Sequence, residues 1–200
     1  MRLRFLPALL FVSAPLVATP ATAQFQSESY KFLQAVRDGK ANDVLTALNR
    51  PGQTVVNTRD VTTGETALLI VTRRGDLPYL NTLLQKGADP NLADARGNTP
   101  LLVAAETGQT SLVPLLVKYH ANPNTGNRSG ETPLIRAVQR RDAAMVRTLL
   151  DTGADPDQRD ILAGRSARDY ASQDLRNPII TQMLTDAPKR AKKAVAGPKL

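Results

Sequence analysis

Apolar residues recur along the middle of the chain in a pattern that repeats every 33 residues. The three sets are Tyr79, Leu80, Leu83 and Leu84; Leu112, Val113, Leu116 and Val117; and Met145, Val146, Leu149 and Leu150. Apolar residues at positions i, i+1, i+4 and i+5 cover one face of an α-helix. Each set therefore predicts a helix with one buried face. No unit could bury that face alone, so we expect the units to stack as a solenoid.

A shorter helix is predicted ahead of each of these helices. The segment Gly97-Asn98-Thr99-Pro100-Leu101 has counterparts that begin at Gly64 and at Gly130. Thr99 is a favourable N-cap, and Pro100 suits the first helical position, where its missing N–H costs nothing. Gly108 is expected to end this helix in the left-handed conformation. An Ala-Asp/Asn-Pro segment after each second helix predicts an extended loop, because Pro excludes the preceding residue from the helical region.

These residues resemble the ankyrin repeat. The segments that match the family's motifs include Thr99-Pro100-Leu101, Ala104-Ala105-Glu106-Thr107-Gly108 and Gly87-Ala88-Asp89-Pro90-Asn91. The resemblance implies an all-α ankyrin-repeat solenoid of about five helix-turn-helix units with projecting loops, including N- and C-terminal caps. It covers residues 29–186, with approximate units at 29–60, 61–93, 94–126, 127–159 and 160–186.

Two departures from the family pattern carry structural expectations. Leu69, Leu102 and Ile135 stand where the family often has a His that hydrogen-bonds within and between repeats. We therefore expect apolar packing in place of that polar stitching. Pro114 falls near the first turn of its helix, which is expected to begin late or to bend.

The N-terminus has the pattern of a cleaved signal peptide. Arg2 and Arg4 precede an apolar stretch, and Ala21-Thr22-Ala23 forms a small-x-small cleavage site. The rival interpretation is an uncleaved anchor, but the stretch is shorter than the roughly 20 apolar residues that span a bilayer. We expect cleavage of residues 1–23, a short segment at 24–28, and an exported protein. A bacterial periplasm is the first expectation for its compartment, with secretion as the alternative.

The sequence offers no arrangement of residues that predicts catalysis. His120 stands where the family usually has Gly, and a loop residue with positive φ is its simpler interpretation. Asp155, Asp157 and Asp160 could suggest calcium, but the Gly and closing Glu of an EF-hand are missing. The chain has no Cys and one His, which argues against zinc and iron–sulfur sites. We predict a non-enzymatic protein without cofactor or metal.

The resemblance implies binding through loop tips and through the exposed side of the first helices. Carried over to this chain, the partner-binding surface comprises Arg37, Asp38, Glu65, Arg73, Arg74, Arg96, Asn98, Glu106, Thr107, Arg128, Glu131, Gln139 and Arg140. Arginine suits interfaces because its planar guanidinium binds carboxylates through two hydrogen bonds. The alternative is a solvated face whose ion pairs keep the solenoid soluble. Tyr119, at the end of a second helix, is a further candidate anchor.

Positive charge adds a second hypothesis about partners. The full chain has a net charge of +8, and loss of Arg2 and Arg4 leaves 24 basic residues against 18 acidic ones. Much of the excess lies in the predicted disordered tail at 187–200, which would serve solubility or attract anionic surfaces. We expect a monomer that binds a protein in the cell envelope, in order to scaffold, protect or inhibit it. The alternatives are a peripheral protein held to anionic lipids or polymers, and an immunity-type inhibitor of an exported enzyme. Nucleic acid is not an expected partner of an exported protein.

Overall fold

The computed structural model describes residues 21–50, 55–174 and 176–188. Within these ranges the chain forms ten α-helices in five helix-turn-helix pairs, with no strand beyond two isolated bridges. The first helices of the pairs are α1 (Ala21–Arg37), α3 (Ala67–Arg74), α5 (Pro100–Thr107), α7 (Pro133–Gln139) and α9 (Ala167–Gln173). The second helices are α2 (Ala41–Leu48), α4 (Leu77–Gln85), α6 (Val113–Lys118), α8 (Ala143–Asp151) and α10 (Pro178–Asp186). Each first helix packs on the next one, so the all-α solenoid predicted from the repeat is confirmed.

The chain's ends bear on two predictions that the structure leaves open. Helix α1 begins at Ala21 and so runs across the predicted cleavage point after Ala23. Residues 1–20, which hold most of the predicted signal peptide, lie outside the described residues, as do residues 189–200 of the predicted tail. Cleavage and the role of the tail stay predictions.

The first helices begin where the capping pattern predicts. Thr66, Thr99 and Thr132 have extended backbone, and each side-chain oxygen accepts a hydrogen bond from the backbone N–H three residues later. This bond satisfies one of the donors that a helix N-terminus leaves without a partner. Pro100 and Pro133 occupy the first helical positions, as the repeat predicts.

Helix α6 is the shortest of the second helices, and its sequence explains why. Asp76 and Asp142 cap α4 and α8, but the third unit has Gln109 at that position, and its side chain makes no capping bond. A 3-10 turn, Thr110–Leu112, replaces the first helical turn, and α6 begins at Val113 just before Pro114. The prediction that Pro114 delays the helix is confirmed.

The apolar stripes form one continuous core. Leu69, Leu102 and Ile135 are fully buried, so apolar packing does occupy the positions where the family often has His. The last pair is less regular: Ile180 and Leu184 are buried, but Ile179 is 60% exposed. Ile179 therefore faces solvent from α10.

Polar stitching between units is provided by asparagines in the loops after the second helices. The side-chain amide of Asn91 donates to the carbonyl of His120 at 3.0 Å, and its oxygen accepts from the backbone N–H of Asn122 at 2.8 Å. Asn57 and Asn124 repeat this arrangement one unit earlier and one unit later. Each asparagine thus ties the end of the next unit's second helix to its own loop.

Within the described part of the chain, two residues other than glycine adopt left-handed backbone at helix ends. His120 has φ 69° and Arg141 has φ 58°, at positions that end α6 and α7. The prediction that His120 is a loop residue with positive φ is confirmed. Gly108, with φ 75°, ends α5 in the same region, as predicted.

The loops that project ahead of the first helices are joined by backbone hydrogen bonds. The N–H of Ala95 donates to the carbonyl of Thr63 at 2.8 Å, that of Arg128 to Arg96 at 3.1 Å, and that of Ile161 to Ser129 at 2.9 Å. These bonds place four loop tips side by side in one row. The row and the first helices behind it form a continuous surface, which we call the inner face.

Candidate functional site

The predicted partner-binding residues lie on the inner face, where many of them are joined by ion pairs. At one end, the Arg37 guanidinium lies 2.8 Å from Asp60 and 3.8 Å from Glu65. Glu65 is also 3.2 Å from Arg73, so two arginines from neighbouring first helices share one loop carboxylate. These contacts fix the loop against α1 and α3.

A second polar network lies at the middle of the inner face and is more deeply buried. The carboxylate of Glu131 accepts hydrogen bonds from Arg136 at 2.7 Å and from the Asn127 amide at 3.0 Å. Asn127 also donates to Asn98 at 3.3 Å, and the Asn98 amide donates to Asp94 at 3.0 Å. The network therefore runs across two loops and ends on α7.

The loop carboxylates are stabilised in their charged form. The pKa of Asp60 lies well below its usual range because the backbone N–H of Thr63, the Arg37 guanidinium and the backbone N–H of Thr62 donate to it. Burial raises the pKa of Asp94, but hydrogen bonds from the backbone and side chain of Asn98 outweigh that effect, and the net shift is downward. Both carboxylates are therefore charged across the physiological range and organise their loops.

The predicted surface residues differ in how freely they face solvent. Asn98 is only 4% exposed, so it lies inside its loop, and its contribution is to loop structure. Thr107 is half-buried, and its hydroxyl donates to the carbonyl of Val103 at 2.8 Å. Arg74 donates to the carbonyl of Val36 at 3.1 Å, which ties α3 to α1, and its guanidinium also lies over the Tyr79 ring on α4.

The remaining predicted residues present polar groups to solvent. Asp38 is exposed and accepts a bond from Gln34 at 2.8 Å. Gln139 is exposed and accepts from Arg136 at 3.3 Å. Arg128 and Arg140 are exposed, and neither forms an ion pair within the described part of the chain. Tyr119, the further candidate anchor, is half-buried and packs against the core.

Two clefts recur between units on the inner face. The first has a volume of about 380 Å³ and is lined by Thr63, Glu65, Arg73, Asp94, Ala95 and Arg96. The second, of about 330 Å³, lies one unit later between the loop tips and the residues of α5 and α7. Glu106 Oε2 and Arg136 Nε both line it, are buried, and have no hydrogen-bond partner among the described residues. One is an acceptor and the other a donor, so each keeps a hydrogen-bonding capacity that no described residue uses.

Sequence reasoning missed Arg136, Asp60, Asp94 and Asn127 as members of this site. Arg136 takes the position held by Ile70 and Val103 in the preceding units, and a charged residue at an apolar repeat position was the signal that could have revealed it. The loop residues Asp60, Asp94 and Asn127 each accept backbone N–H bonds from their own loops. That role follows from loop geometry, which the sequence pattern alone does not display.

The residues considered as candidates for catalysis or metal binding form hydrogen bonds and ion pairs within the fold. His120 is exposed, and its carbonyl accepts the bond from Asn91. Asp155 caps its own turn, Asp157 lies 2.8 Å from Arg168, and Asp160 accepts from Tyr170. Among the described residues, no group of three or more His, Cys, Asp or Glu side chains is placed to hold a metal ion. In the same part of the chain, no helix combines the length and the apolar character needed to cross a bilayer.

A comparison with models of known protein families identifies this repeat architecture. A family model described as ankyrin repeats (3 copies) matches residues 32–125 and residues 68–160, and the two matches together span more than half of the chain. No curated protein matches the chain. The family's repeats generally mediate binding between proteins, and the helix pairs, caps and loops seen here agree with that architecture. The chain belongs to the ankyrin-repeat family.

Proposed function

We propose that this protein is a non-enzymatic binding module whose inner face recognises a partner protein in the cell envelope. The observation that carries the proposal is the second cleft, where the buried atoms Glu106 Oε2 and Arg136 Nε have no partner among the described residues. A buried polar atom without a partner costs about 1–3 kcal/mol. If these side chains rotate towards the cleft on binding, a partner group that donates to Glu106 and accepts from Arg136 would recover that cost.

Behind the loop tips, the charge pattern of the inner face favours a protein over a uniform polyanion. Carboxylates and guanidinium groups alternate along it, as in the Arg37–Asp60 and Arg136–Glu131 pairs. A polyanion would meet repulsion from the carboxylates, whereas a protein surface can match both signs. The loops are also fixed before binding by their backbone row, and such preorganisation lowers the entropic cost of association.

We propose export to the periplasm and a monomeric state as the setting for this function, on the evidence of the N-terminal sequence pattern. The protein would scaffold, protect or inhibit its partner. In the immunity-type version, the inner face would cover the active site of an exported enzyme. The alternative is a protein without a specific partner, which adheres to anionic lipids or polymers through its Arg residues and tail alone, and it differs in its salt dependence.

The test is affinity capture from a cell-envelope extract with the full chain and two variants of matched size. In the inner-face variant, Arg73, Glu106, Gln139 and Arg140 are changed to Ala. In the control variant, exposed residues of the second helices are changed to Ala: Gln85, Lys118, Arg147 and Asp151. We expect one discrete protein, retained at moderate salt and lost with the inner-face variant alone. Capture that disappears with salt, or that both variants lose equally, would contradict the proposal.

A further inference from the structure

The three most exposed large apolar side chains of the described residues lie in the row of loop tips. Val61 is 90% exposed, Leu162 is 81% exposed and Ile161 is 74% exposed. Single exposed apolar residues are common on protein surfaces and need no explanation. Three on one row, with greater exposure than any other large apolar residue of the described part, indicate a surface that meets an apolar phase.

The exposure of these side chains is built into their loops. The first and last loops, residues 60–65 and 160–165, each have one residue more than the two loops between them, residues 94–98 and 127–131. At the base of the first loop, Asp60 accepts from the N–H groups of Thr62 and Thr63 at 2.9 and 3.0 Å. Asp160 accepts from Ala163 and Gly164 in the same way. The extra residue therefore lifts the apolar tip while the loop base stays closed.

Positive charge lies between the two apolar ends of the row. Arg96 and Arg128 occupy the tips of the middle loops, and the Arg96 side chain is 69% exposed. The nearest carboxylate to Arg96 is that of Asp94 at 3.8 Å, which already accepts hydrogen bonds within its own loop. Arg128 has no ion pair within the described ranges. We call Val61, Arg96, Arg128, Ile161 and Leu162 the loop crest.

The order of these groups does not fit a typical protein interface. Protein interfaces have an apolar centre surrounded by a polar rim. The loop crest has the opposite order, with cations at its centre and apolar residues at its two ends. Neighbouring packed helices lie about 9 Å apart, so the three intervals between the four loops separate those ends by about 27 Å. A flat anionic surface with an apolar layer beneath it would satisfy both kinds of residue at once.

We propose that the loop crest docks on a lipid bilayer that contains anionic phospholipids. Arg96 and Arg128 contact lipid phosphates, while Val61, Ile161 and Leu162 enter the boundary between headgroups and acyl chains. This docking is a second binding activity beyond recognition of a partner protein, and it does not depend on the basic residues after Pro188. It would hold the row of loops against the membrane and present the first helices to a membrane-associated partner.

The expected effects follow from the charges and apolar area involved. A basic residue near an anionic membrane contributes a factor of about five in affinity, so the change of both Arg96 and Arg128 to Gln should weaken binding roughly thirtyfold. Loss of one buried aliphatic side chain, as in Leu162→Ser, should weaken it roughly tenfold. The same charge change at Lys118 and Arg147, exposed on α6 and α8, provides the matched control.

The experiment uses the absence of Cys in the chain to place one fluorophore at a time. An environment-sensitive dye is attached to Val61→Cys, Leu162→Cys or Ile179→Cys, the last being an exposed control position on α10. Each labelled full chain is mixed with vesicles of two parts phosphatidylcholine to one part phosphatidylglycerol. Phosphatidylcholine vesicles and soluble polyphosphate are the comparisons, and circular dichroism melting confirms that each variant is folded.

We expect a blue shift at positions 61 and 162, and not at 179, with the anionic vesicles alone. The shift should require Arg96 and Arg128, should be unaffected by the Lys118 and Arg147 changes, and should persist in a chain truncated after Ala187. Three outcomes would overturn the proposal. The crest labels could stay aqueous while the protein binds, all three labels could shift equally, or binding could be indifferent to the crest arginines. Because no partner protein is present, these outcomes leave the partner-binding proposal to its own test.

Discussion

Replacement of Gly97 by Ala tests whether the loops really form one hydrogen-bonded row. Gly97 has φ 84°, and a Cβ atom there would lie 2.9 Å from the backbone nitrogen of Arg128 in the next loop. Gly87 has nearly the same φ, 85°, but a Cβ atom there would meet nothing within 4 Å. The two substitutions therefore carry the same backbone penalty and differ in the contact between loops.

The magnitude follows from that difference. Left-handed backbone costs a residue with a Cβ about 1–2 kcal/mol, and the smaller entropy of Ala in the unfolded chain offsets about 0.4–1 kcal/mol of it. Gly87→Ala should thus destabilise the protein by about 1 kcal/mol. In Gly97→Ala the next loop must also move, which weakens the 3.1 Å bond from Arg128 to Arg96. A lost hydrogen bond of this kind is worth about 1 kcal/mol, so Gly97→Ala should cost about 1–2 kcal/mol more than its control.

The assay is urea unfolding of both variants beside the unmodified chain, followed by far-UV circular dichroism. For a urea slope of about 2 kcal/mol per molar, the midpoint of Gly97→Ala should fall roughly 0.5–1 M below that of Gly87→Ala. Equal midpoints, or a lower midpoint for Gly87→Ala, would refute the hydrogen-bonded row and remove the structural basis of the loop crest.

Three further predictions concern stitching, backbone strain and pH. Asn91→Asp keeps the acceptor for the N–H of the next loop but loses the donor to the His120 carbonyl, and should lower the free energy of unfolding in urea by about 1 kcal/mol. Asn91→Ala loses both bonds and should lower it by about 2 kcal/mol, and equal losses in the two variants would argue against a donor role. His120→Gly should raise the melting temperature, because glycine adopts left-handed backbone without strain. Arg141→Gly should raise it less, because this change also removes the ion pair with Asp174, and a larger rise for Arg141→Gly would contradict this reasoning. The pKa of Asp60 is lowered in the folded protein, so its contribution to the free energy of unfolding is fully present above about pH 5 and decreases as the pH falls below about 4. The free-energy difference between Asp60→Asn and the unmodified chain, measured by urea unfolding at several pH values, should shrink in acid, and a difference independent of pH would refute the charged role.

The fold was predictable because local signals and the repeat agree. Thr99, Pro100 and Gly108 each favour one backbone conformation, and the apolar stripe favours one packing face, so independent physical preferences point to the same helix pair. Pro114 and His120 depart from the family pattern, yet their structural effects were also predictable. The missing N–H of a proline and the positive φ of a loop residue each have defined consequences. Ile179 was less predictable, because the sequence does not specify how the last helix is rotated against the stack.

The site was predictable only in outline. An alignment of the repeats indicates which positions lie in the loops, but it does not show which side chains form hydrogen bonds within their own loop and are therefore buried. Asn98 is the clearest example, because it aligns with the half-buried Glu65 and Glu131 yet is buried against Asp94. Arg136 shows the converse, because its position suggested the core while its guanidinium lies at the centre of the inner face. The exposure of Leu162 follows from the length of its loop, which the repeat pattern does not specify.

Hydrogen exchange of the full chain, free and bound to its captured partner, would show which surface the partner covers. We expect binding to slow exchange in α3, α5 and α7 and in the loops at 94–98 and 127–131, while α4, α6 and α8 stay unchanged. Protection confined to the second helices, or to residues after Pro188 alone, would contradict recognition through the inner face.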